Sequence, residues 1–234
     1  MTPGRPISSR ICISLGPGGR TQLEAEADNA RVAEIRFDLA LTTGGCSPEE
    51  SLSFIRCFGT VIAACRPGRL SASARETLLT AALDQGAAFV DVEADADAGM
   101  IQRIRRKVRS AGARLILSTH DFTGTSSQQV LDALFCRAIE AGADLVKIAC
   151  LVSSADDEAR LLGLLRQPGH AFAGRILPVA LGKQWACSAR AKALSLGAPF
   201  TYAAPDTGPQ AVLNQPRRGE ILAELHRLAA DCRR

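Results

Sequence analysis

Lys147 is the residue whose type and position point most directly to chemistry. It stands near the end of the apolar run Ala143–Cys150, which is typical of a buried strand, in a chain with only four lysines against twenty-four arginines. Burial disfavours a charged ammonium, and a neutral amine is the nucleophile that attacks ketones to form Schiff bases. The alternative is a structural lysine whose stem is buried and whose charged head reaches water.

Polar residues also end several other apolar runs. In the second run, Glu34, Arg36 and Asp38 alternate with two apolar residues, so the three charged side chains are predicted to share one face. If helices cover the apolar face, the charged face points inward, where it needs partners or a polar ligand. The ends of later runs carry Arg66, Asp91, Glu93 and His120.

Among three histidines, His120 is the one at a predicted strand end, whereas His170 lies in a Pro/Gly loop and His226 in a terminal helix. Its predicted strand precedes the one that carries Lys147. Neighbouring strands can place a base and an amine around one substrate carbon. The ordinary histidine pKa of about 6.5 suits proton transfer in both directions near neutral pH. The alternative is a structural hydrogen-bonding histidine.

Short apolar runs alternate with longer amphipathic ones along the whole chain. The predicted strands are Ile11–Leu15, Val32–Phe37, Val61–Cys65, Phe89–Val92, Leu115–Ser118, Leu145–Ile148, Ile176–Ala180 and Phe200–Tyr202. The predicted helices are Thr21–Asp28, Pro48–Phe58, Ser73–Gln85, Ala98–Ala111, Ser126–Ala141, Ala155–Leu165, Cys187–Ser195 and Gly219–Leu228. Most strands are β-branched and apolar on both faces, as parallel strands covered by helices are.

Eight strand–helix units in 234 residues predict an α/β fold of the (β/α)₈ TIM-barrel type. We find no linker that divides the chain, so residues 1–234 are predicted to form a single catalytic domain. An open, doubly wound sheet is the structural alternative. The segment Gly16–Gly19 lacks the GxGxxG spacing of dinucleotide sites, which weakens that alternative.

Composition excludes several classes of function. One Trp, one Tyr and a net charge of +4 do not favour a nucleic-acid platform. The eight cysteines show no CxxC spacing, so no metal site is predicted. No apolar run approaches the roughly 20 residues of a membrane helix. The polar start, Met1–Arg10, does not resemble a signal peptide, and we expect a cytoplasmic protein.

With these residues assembled, the chain resembles the type I 3-dehydroquinate dehydratases of the shikimate pathway. The resemblance spans nearly the whole chain, and the order of its short motifs makes it specific. The matching segments are Ile11–Leu15, Glu34–Asp38, Arg66, Val90–Glu93, Ser118–Phe122, Asp144–Ile148, Leu181–Lys183, Ser188–Arg190 and Leu196–Tyr202.

This resemblance implies a lyase that needs no cofactor and converts 3-dehydroquinate to 3-dehydroshikimate through an imine on Lys147, with His120 moving the protons. It also implies a homodimer acting in aromatic amino acid biosynthesis, with a catabolic role as the alternative. Arg190 would bind the substrate carboxylate, a task that suits a planar, bidentate donor. The remaining substrate contacts implied by the family are Ser14, Glu34, Arg36, Arg66 and Gln210.

The chain departs from the family pattern in three places. Pro67–Ala72 stands where the family carries Glu-Gly-Gly, so the acidic partner expected for His120 is absent near Leu70. Ala189 splits the Ser-Arg pair. Thr207–Gln210 replaces a late Pro-Gly-Gln motif that belongs to the lid over the substrate. These departures leave the lysine and the histidine intact but affect substrate contacts.

Two other functions stay open. One is another Schiff-base barrel enzyme, such as an aldolase acting on a carboxylated ketose, which carbon–carbon bond cleavage would reveal. The other is a non-catalytic or altered-specificity relative that binds shikimate-pathway ligands, which tight binding without turnover would reveal.

Overall fold

The structure, a computed structural model, describes residues 7–16, 18–27, 29–43, 46–166 and 174–231. The predicted helix end at Asp28 and the loop residue His170 lie outside the described residues, as does Cys232.

The described residues contain eight strands, and each contains most of one predicted strand. Their bounds are β1 Ile11–Leu15, β2 Val32–Arg36, β3 Thr60–Ala64, β4 Phe89–Glu93, β5 Arg114–Asp121, β6 Leu145–Leu151, β7 Ile176–Leu181 and β8 Thr201–Ala203.

Helices follow the strands. Their bounds are α1 Gly19–Ala27, α2 Phe37–Thr43, α3 Pro48–Ser53, α4 Ala72–Asp84, α5 Ala98–Ser110, α6 Gln128–Glu140, α7 Ala155–Gly163, α8 Ala186–Ser195 and α9 Arg218–Asp231. Two 3₁₀ turns, Ile7–Arg10 and Phe54–Cys57, precede β1 and β3.

All hydrogen-bonded strand pairs are parallel, and their order is β7-β6-β5-β4-β3-β2-β1-β8. Because β8 returns to pair with β1, the sheet curls into a nearly closed ring with helices outside. This order confirms the predicted (β/α)₈ barrel and rules out the open, doubly wound alternative, in which the strand order reverses at the first strand.

The interior of the ring is divided into an apolar floor and a polar mouth. The floor consists of side chains from the amino-terminal halves of the strands, including Val32, Phe89, Ile116 and Leu145. One inward position further along, the same strands carry Glu34, Asp91, Ser118 and Lys147, all buried. A second apolar layer packs between the strands and the helices. The floor holds the strands together, and the polar layer lies at the carboxyl ends, where barrel chemistry takes place.

The main differences from the predicted elements lie beside the mouth. β2 ends at Arg36, and Phe37 begins the unpredicted helix α2. β5 and β6 continue three residues beyond their predicted ends, because their ladder extends to the pair Asp121 and Cys150. The residues added to β5, Thr119–Asp121, are polar, so an apolar pattern could not predict them, whereas those added to β6, Ala149–Leu151, continue its apolar run.

Two Ala-Gly-Ala segments, residues 111–113 and 141–143, lead into the strands that carry the chemistry. Gly112 and Gly142 have φ angles of 66° and 97°, a left-handed conformation that glycine adopts at little cost. They end α5 and α6, and the chain then turns directly into β5 and β6.

Candidate active site

A cavity of about 430 Å³ opens at the carboxyl ends of the strands. Seven of the eight predicted site residues line it, and Gln210 does not. The seven are Ser14 of β1, Glu34 and Arg36 of β2, Arg66 after β3, His120 of β5, Lys147 of β6 and Arg190 of α8. Residues up to 201 positions apart therefore meet at one end of the barrel, as Ser14 and Gln215 do.

Lys147 is 5% exposed, and its amine faces the cavity between two carboxylates. Its Nζ lies 3.5 Å from Oε1 of Glu34, 3.3 Å from Oδ2 of Asp91 and 3.9 Å from the ring centroid of Tyr202. The alternative of a charged head in bulk water is therefore wrong. The expectation of a neutral amine considered burial alone and did not anticipate the two carboxylates that lie beside the nitrogen.

Asp91 links Lys147 to Arg66, whose side chain is 12% exposed. Arg66 donates to both oxygens of Asp91, at 3.1 and 2.6 Å, and to Ser118 Oγ at 2.6 Å, while Ser118 donates to Asp91 at 2.6 Å. Burial raises the pKa of Asp91, but Arg66 and Lys147 outweigh it and hold the pKa well below its ordinary value. Asp91 therefore stays ionised beside the lysine.

Glu34 is the second carboxylate at the amine and is 3% exposed. Burial raises its pKa, but attraction by Lys147, Arg36 and Arg66 brings the pKa below its ordinary value. Arg36 donates to both oxygens of Asp38, at 3.0 and 2.7 Å. Asp38 does not line the cavity, which corrects the prediction that it shares the inward face: β2 ends before it, and it lies in the first turn of α2.

His120 has an acidic partner, so the prediction that this partner is absent is wrong. Its Nδ1 lies 3.1 Å from Oε2 and 3.0 Å from Oε1 of Glu93, at the end of β4. Glu93 also accepts a hydrogen bond of 2.7 Å from Arg66. Burial lowers the pKa of His120 and Glu93 raises it; together with the repulsion from Lys147 and Arg66 the pKa lies below its ordinary value.

The guanidinium of Arg190 is buried at the cavity wall and is 2% exposed. It donates at 3.1 and 3.0 Å to the carbonyl of Ala180 and at 2.7 Å to that of Tyr202. Within the described part of the chain, no carboxylate forms an ion pair with it. Burial lowers its pKa to about 10. A buried cation held only by neutral carbonyls has electrostatic capacity for an anionic ligand.

Gln215, rather than Gln210, reaches the cavity. Gln215 is 4% exposed and donates at 3.1 Å to Ser14 Oγ, and its Oε1 accepts no hydrogen bond from any described residue. Gln210 instead donates to the backbone carbonyl of Gln215 at 3.0 Å. Asn214 has a φ of 58°, the conformation that glycine adopts readily. Gln215, and not Gln210, therefore supplies the glutamine side chain at this part of the cavity.

The sequence analysis assigned no role to several residues of the cavity and its hydrogen-bond network, among them Asp91, Glu93, Tyr202 and Gln215. Asp91 and Glu93 stand at alternate positions of one strand, and this spacing was a usable signal. For Gln215, a usable signal was the preceding Asn214, a few residues before the last helix, since asparagine tolerates positive φ.

Two kinds of feature are absent from the described residues. In residues 7–16, 18–27, 29–43, 46–166 and 174–231, no group of three or more His, Cys, Asp or Glu is placed to hold a metal ion. The helices of these ranges are all too short or too polar to cross a membrane.

A family profile and a relative of known name match most of the chain in sequence. The profile of the family described as type I 3-dehydroquinase matches residues 11–226. A 3-dehydroquinate dehydratase of Desulfotalea psychrophila is 31% identical over 212 residues, which cover 85% of this chain and 89% of the relative.

Two solved structures share the fold. A type I 3-dehydroquinate dehydratase from Clostridium difficile, with covalently modified comenic acid, superposes with a TM-score of 0.79 at 20% identity, covering 95% of this chain and 93% of the other. The enzyme of Geobacillus kaustophilus gives a TM-score of 0.78 at 21% identity, with 94% and 91% coverage. From the family profile and the Desulfotalea relative together, the chain belongs to the type I 3-dehydroquinase family.

Proposed function

We propose that this protein dehydrates 3-dehydroquinate to 3-dehydroshikimate through a Schiff base on Lys147, with His120 as general acid and base. The observation that carries the proposal is the buried Lys147 amine, which faces the same cavity as His120 from the neighbouring strand. Membership of the family supports the substrate.

The reaction needs one nucleophile and one proton carrier. The Lys147 ammonium gives one proton to a neighbouring carboxylate and attacks the substrate ketone as a neutral amine. The resulting carbinolamine takes a proton back as its hydroxyl leaves as water, and a cationic imine remains. The imine acidifies the neighbouring C–H bond, because the cationic nitrogen accepts the electron pair that remains. His120 removes this proton and then protonates the departing hydroxyl, so that a second water leaves. One water then hydrolyses the imine, and the net change is loss of a single water.

Glu34 and Asp91 have two roles in this scheme. Both are ionised near neutral pH, since their pKa values lie below the ordinary range. Before the reaction they hold the ammonium, and an incoming ketone must displace one of these contacts. After imine formation they stabilise the positive charge that the nitrogen keeps.

The substrate contacts are proposed for side chains in the cavity whose charge or hydrogen-bonding atoms are not fully paired among the described residues. Arg190 lacks a carboxylate partner among the described residues and is proposed to bind the substrate carboxylate. The free acceptor of Gln215 is proposed to bind a hydroxyl, replacing the role predicted for Gln210. Ser14, Glu34 and Arg36 are proposed as further hydroxyl contacts, whereas Arg66 is already bound by Asp91 and Glu93 and is proposed to hold these carboxylates in place.

Arg190→Lys is expected to raise KM for 3-dehydroquinate by about tenfold or more, with a smaller change in kcat, because lysine keeps the charge but loses the bidentate fork. Steady-state kinetics measure the change. Arg103→Lys, on the exposed face of α5, is the matched control. An unchanged KM in Arg190→Lys would remove this residue from substrate binding.

Glu93→Gln is expected to lower kcat at least tenfold, because the amide no longer orients and stabilises the imidazolium of His120. Since Glu93 raises the pKa of His120, its loss lowers that pKa further, and the acid limb of the kcat/KM profile moves to lower pH. The pH–rate profile measures this shift. Asp95→Asn, on the cavity wall, removes an equal charge without the imidazole contact. An equal shift in both variants would contradict an orienting role for Glu93.

A steady-state assay that follows the enone absorbance of 3-dehydroshikimate tests the proposed function. Turnover of 3-dehydroquinate by the purified protein is the expected result. Carbon–carbon cleavage of a carboxylated ketose without dehydration would favour the aldolase alternative. Tight binding of 3-dehydroquinate without turnover would favour the non-catalytic relative.

The proposal retains three expectations that follow from the sequence and the family resemblance. They are a single catalytic domain over residues 1–234, a homodimer, and action in the cytoplasm. A mass measured in solution by light scattering equal to twice 24.7 kDa would support the dimer.

A further inference from the structure

Tyr202 is the aromatic residue that touches the Lys147 nitrogen. It lies on β8, is 2% exposed, and presents the face of its ring to Nζ with 3.9 Å between Nζ and the ring centroid. The ring also lines the cavity. At this distance a desolvated cation is attracted by the electron-rich face of a phenol ring.

The number of N–H bonds on the nitrogen changes during Schiff-base chemistry. The free ammonium has three N–H donors, and the described contacts around it are Glu34, Asp91 and the ring of Tyr202. A protonated imine has one N–H, so at most one of the two carboxylates keeps a direct hydrogen bond. An aromatic face needs no N–H, since it interacts with the charge itself. Its attraction can therefore persist from the ammonium through each cationic imine.

The hydroxyl of Tyr202 contributes nothing visible to this contact. It is buried and has no hydrogen-bond partner among the described residues. Burial raises the pKa of Tyr202 well above its ordinary value, so the phenol stays neutral throughout the range in which proteins work. An orphaned buried hydroxyl costs stability. The ring is therefore the part of the side chain that acts on Lys147.

We propose that Tyr202 is a catalytic residue whose ring face stabilises the positive charge on the Lys147 nitrogen during formation and reaction of the imine. This inference rests on the proposed Schiff-base function. It assigns the stabilisation to the π face and not to the hydroxyl. It also predicts that an aromatic residue without a hydroxyl can perform the same task.

Three variants separate this role from simple packing. Tyr202→Leu removes the ring, and Tyr202→Phe keeps it. Phe89→Leu removes a ring from the barrel floor, 5.9 Å from Phe200 and outside the residues that line the cavity. Thermal unfolding measures the loss of packing in each variant. The catalytic readouts are kcat and the rate at which borohydride traps the Lys147 adduct formed with 3-dehydroquinate, measured by mass spectrometry.

We expect Tyr202→Leu to lower both kcat and the trapping rate about tenfold. Tyr202→Phe should recover both to within about threefold of the unsubstituted protein, with a higher melting temperature than Tyr202→Leu. Phe89→Leu should lose stability but trap at the unsubstituted rate. Trapping by Tyr202→Leu at the unsubstituted rate would overturn the proposal, as would a Tyr202→Phe variant that is as slow as Tyr202→Leu.

A measurement without substrate separates this inference from the proposed function. The chain has four lysines, so protein labelled with ¹³C at lysine Cε gives four side-chain signals, and Lys147→Met identifies the one from Lys147. The Hε signal of Lys147 should lie upfield of the other three through the ring current of Tyr202. It should move downfield in Tyr202→Leu and stay upfield in Tyr202→Phe. Absence of this shift overturns the inference, whereas absence of turnover by the unsubstituted protein overturns the proposed function alone.

Discussion

Replacement of Lys147 by alanine is expected to reduce turnover of 3-dehydroquinate by about 10⁴-fold or more, because it removes the nucleophile and the covalent pathway with it. Borohydride reduction in the presence of 3-dehydroquinate should add the mass of the reduced adduct to the unsubstituted protein and nothing to Lys147→Ala. Intact-protein mass spectrometry measures this difference directly.

Lys183→Ala is the matched control, because Lys183 is exposed and follows β7 at the same end of the barrel. It should turn over substrate and form the trapped adduct as the unsubstituted protein does. Retained trapping in Lys147→Ala would show that another lysine forms the adduct. The Lys147→Ala variant should still fold, because Arg66 remains beside Asp91 and Arg36 beside Glu34. Circular dichroism checks this point.

Replacement of His120 by alanine is expected to separate imine formation from proton transfer. Turnover should fall by about 10²- to 10⁴-fold, since the residue is the proposed proton carrier. The Lys147 adduct should still be trapped, because the amine and its carboxylates are unchanged. Glu93 keeps its hydrogen bond of 2.7 Å with Arg66, so loss of the imidazole does not leave a buried charge without a partner.

His226→Ala provides the control for this variant, since His226 lies on the exposed side of α9. Its kinetics and pH profile should match those of the unsubstituted protein. Normal turnover by His120→Ala would remove the residue from the mechanism. A His120→Ala variant that neither turns over nor forms the adduct would assign His120 to imine formation as well.

The barrel could be predicted because the sequence pattern that indicates each strand or helix lies within one short segment. Each strand has its own apolar run, and each helix its own amphipathic pattern, so eight strand–helix units were visible without any contact between them. The predicted ends of β2, β5 and β6 were wrong, and these ends lie at the mouth of the barrel. Phe37 was assigned to β2 as an apolar residue in alternation, but it begins a helix. The last residues of β5, Thr119–Asp121, are polar and belong to the strand because they pair with β6, not because of their own composition.

The site was predicted in part, and its missing members share a physical cause. Lys147 and His120 were recognised because each has an unusual residue type at a strand end. Glu93 was seen at a strand end as well, but its pairing with His120 depends on the register of β4 against β5, which places Glu93 beside Ser118. Gln215 was missed because its position depends on the path of a loop through the left-handed Asn214.

The sequence by itself determined the strands, the helices that cover them, and the lysine and histidine that face the mouth. These features follow from hydrophobic period and from chemically distinctive residue types, both of which belong to short segments. Tertiary structure decided the electrostatic surroundings of those residues. The carboxylates of Glu34 and Asp91, the ring of Tyr202 and the partner of His120 come from three other strands, β2, β4 and β8. Charges and rings act through distances of 3 to 4 Å, and closure of the barrel sets those distances.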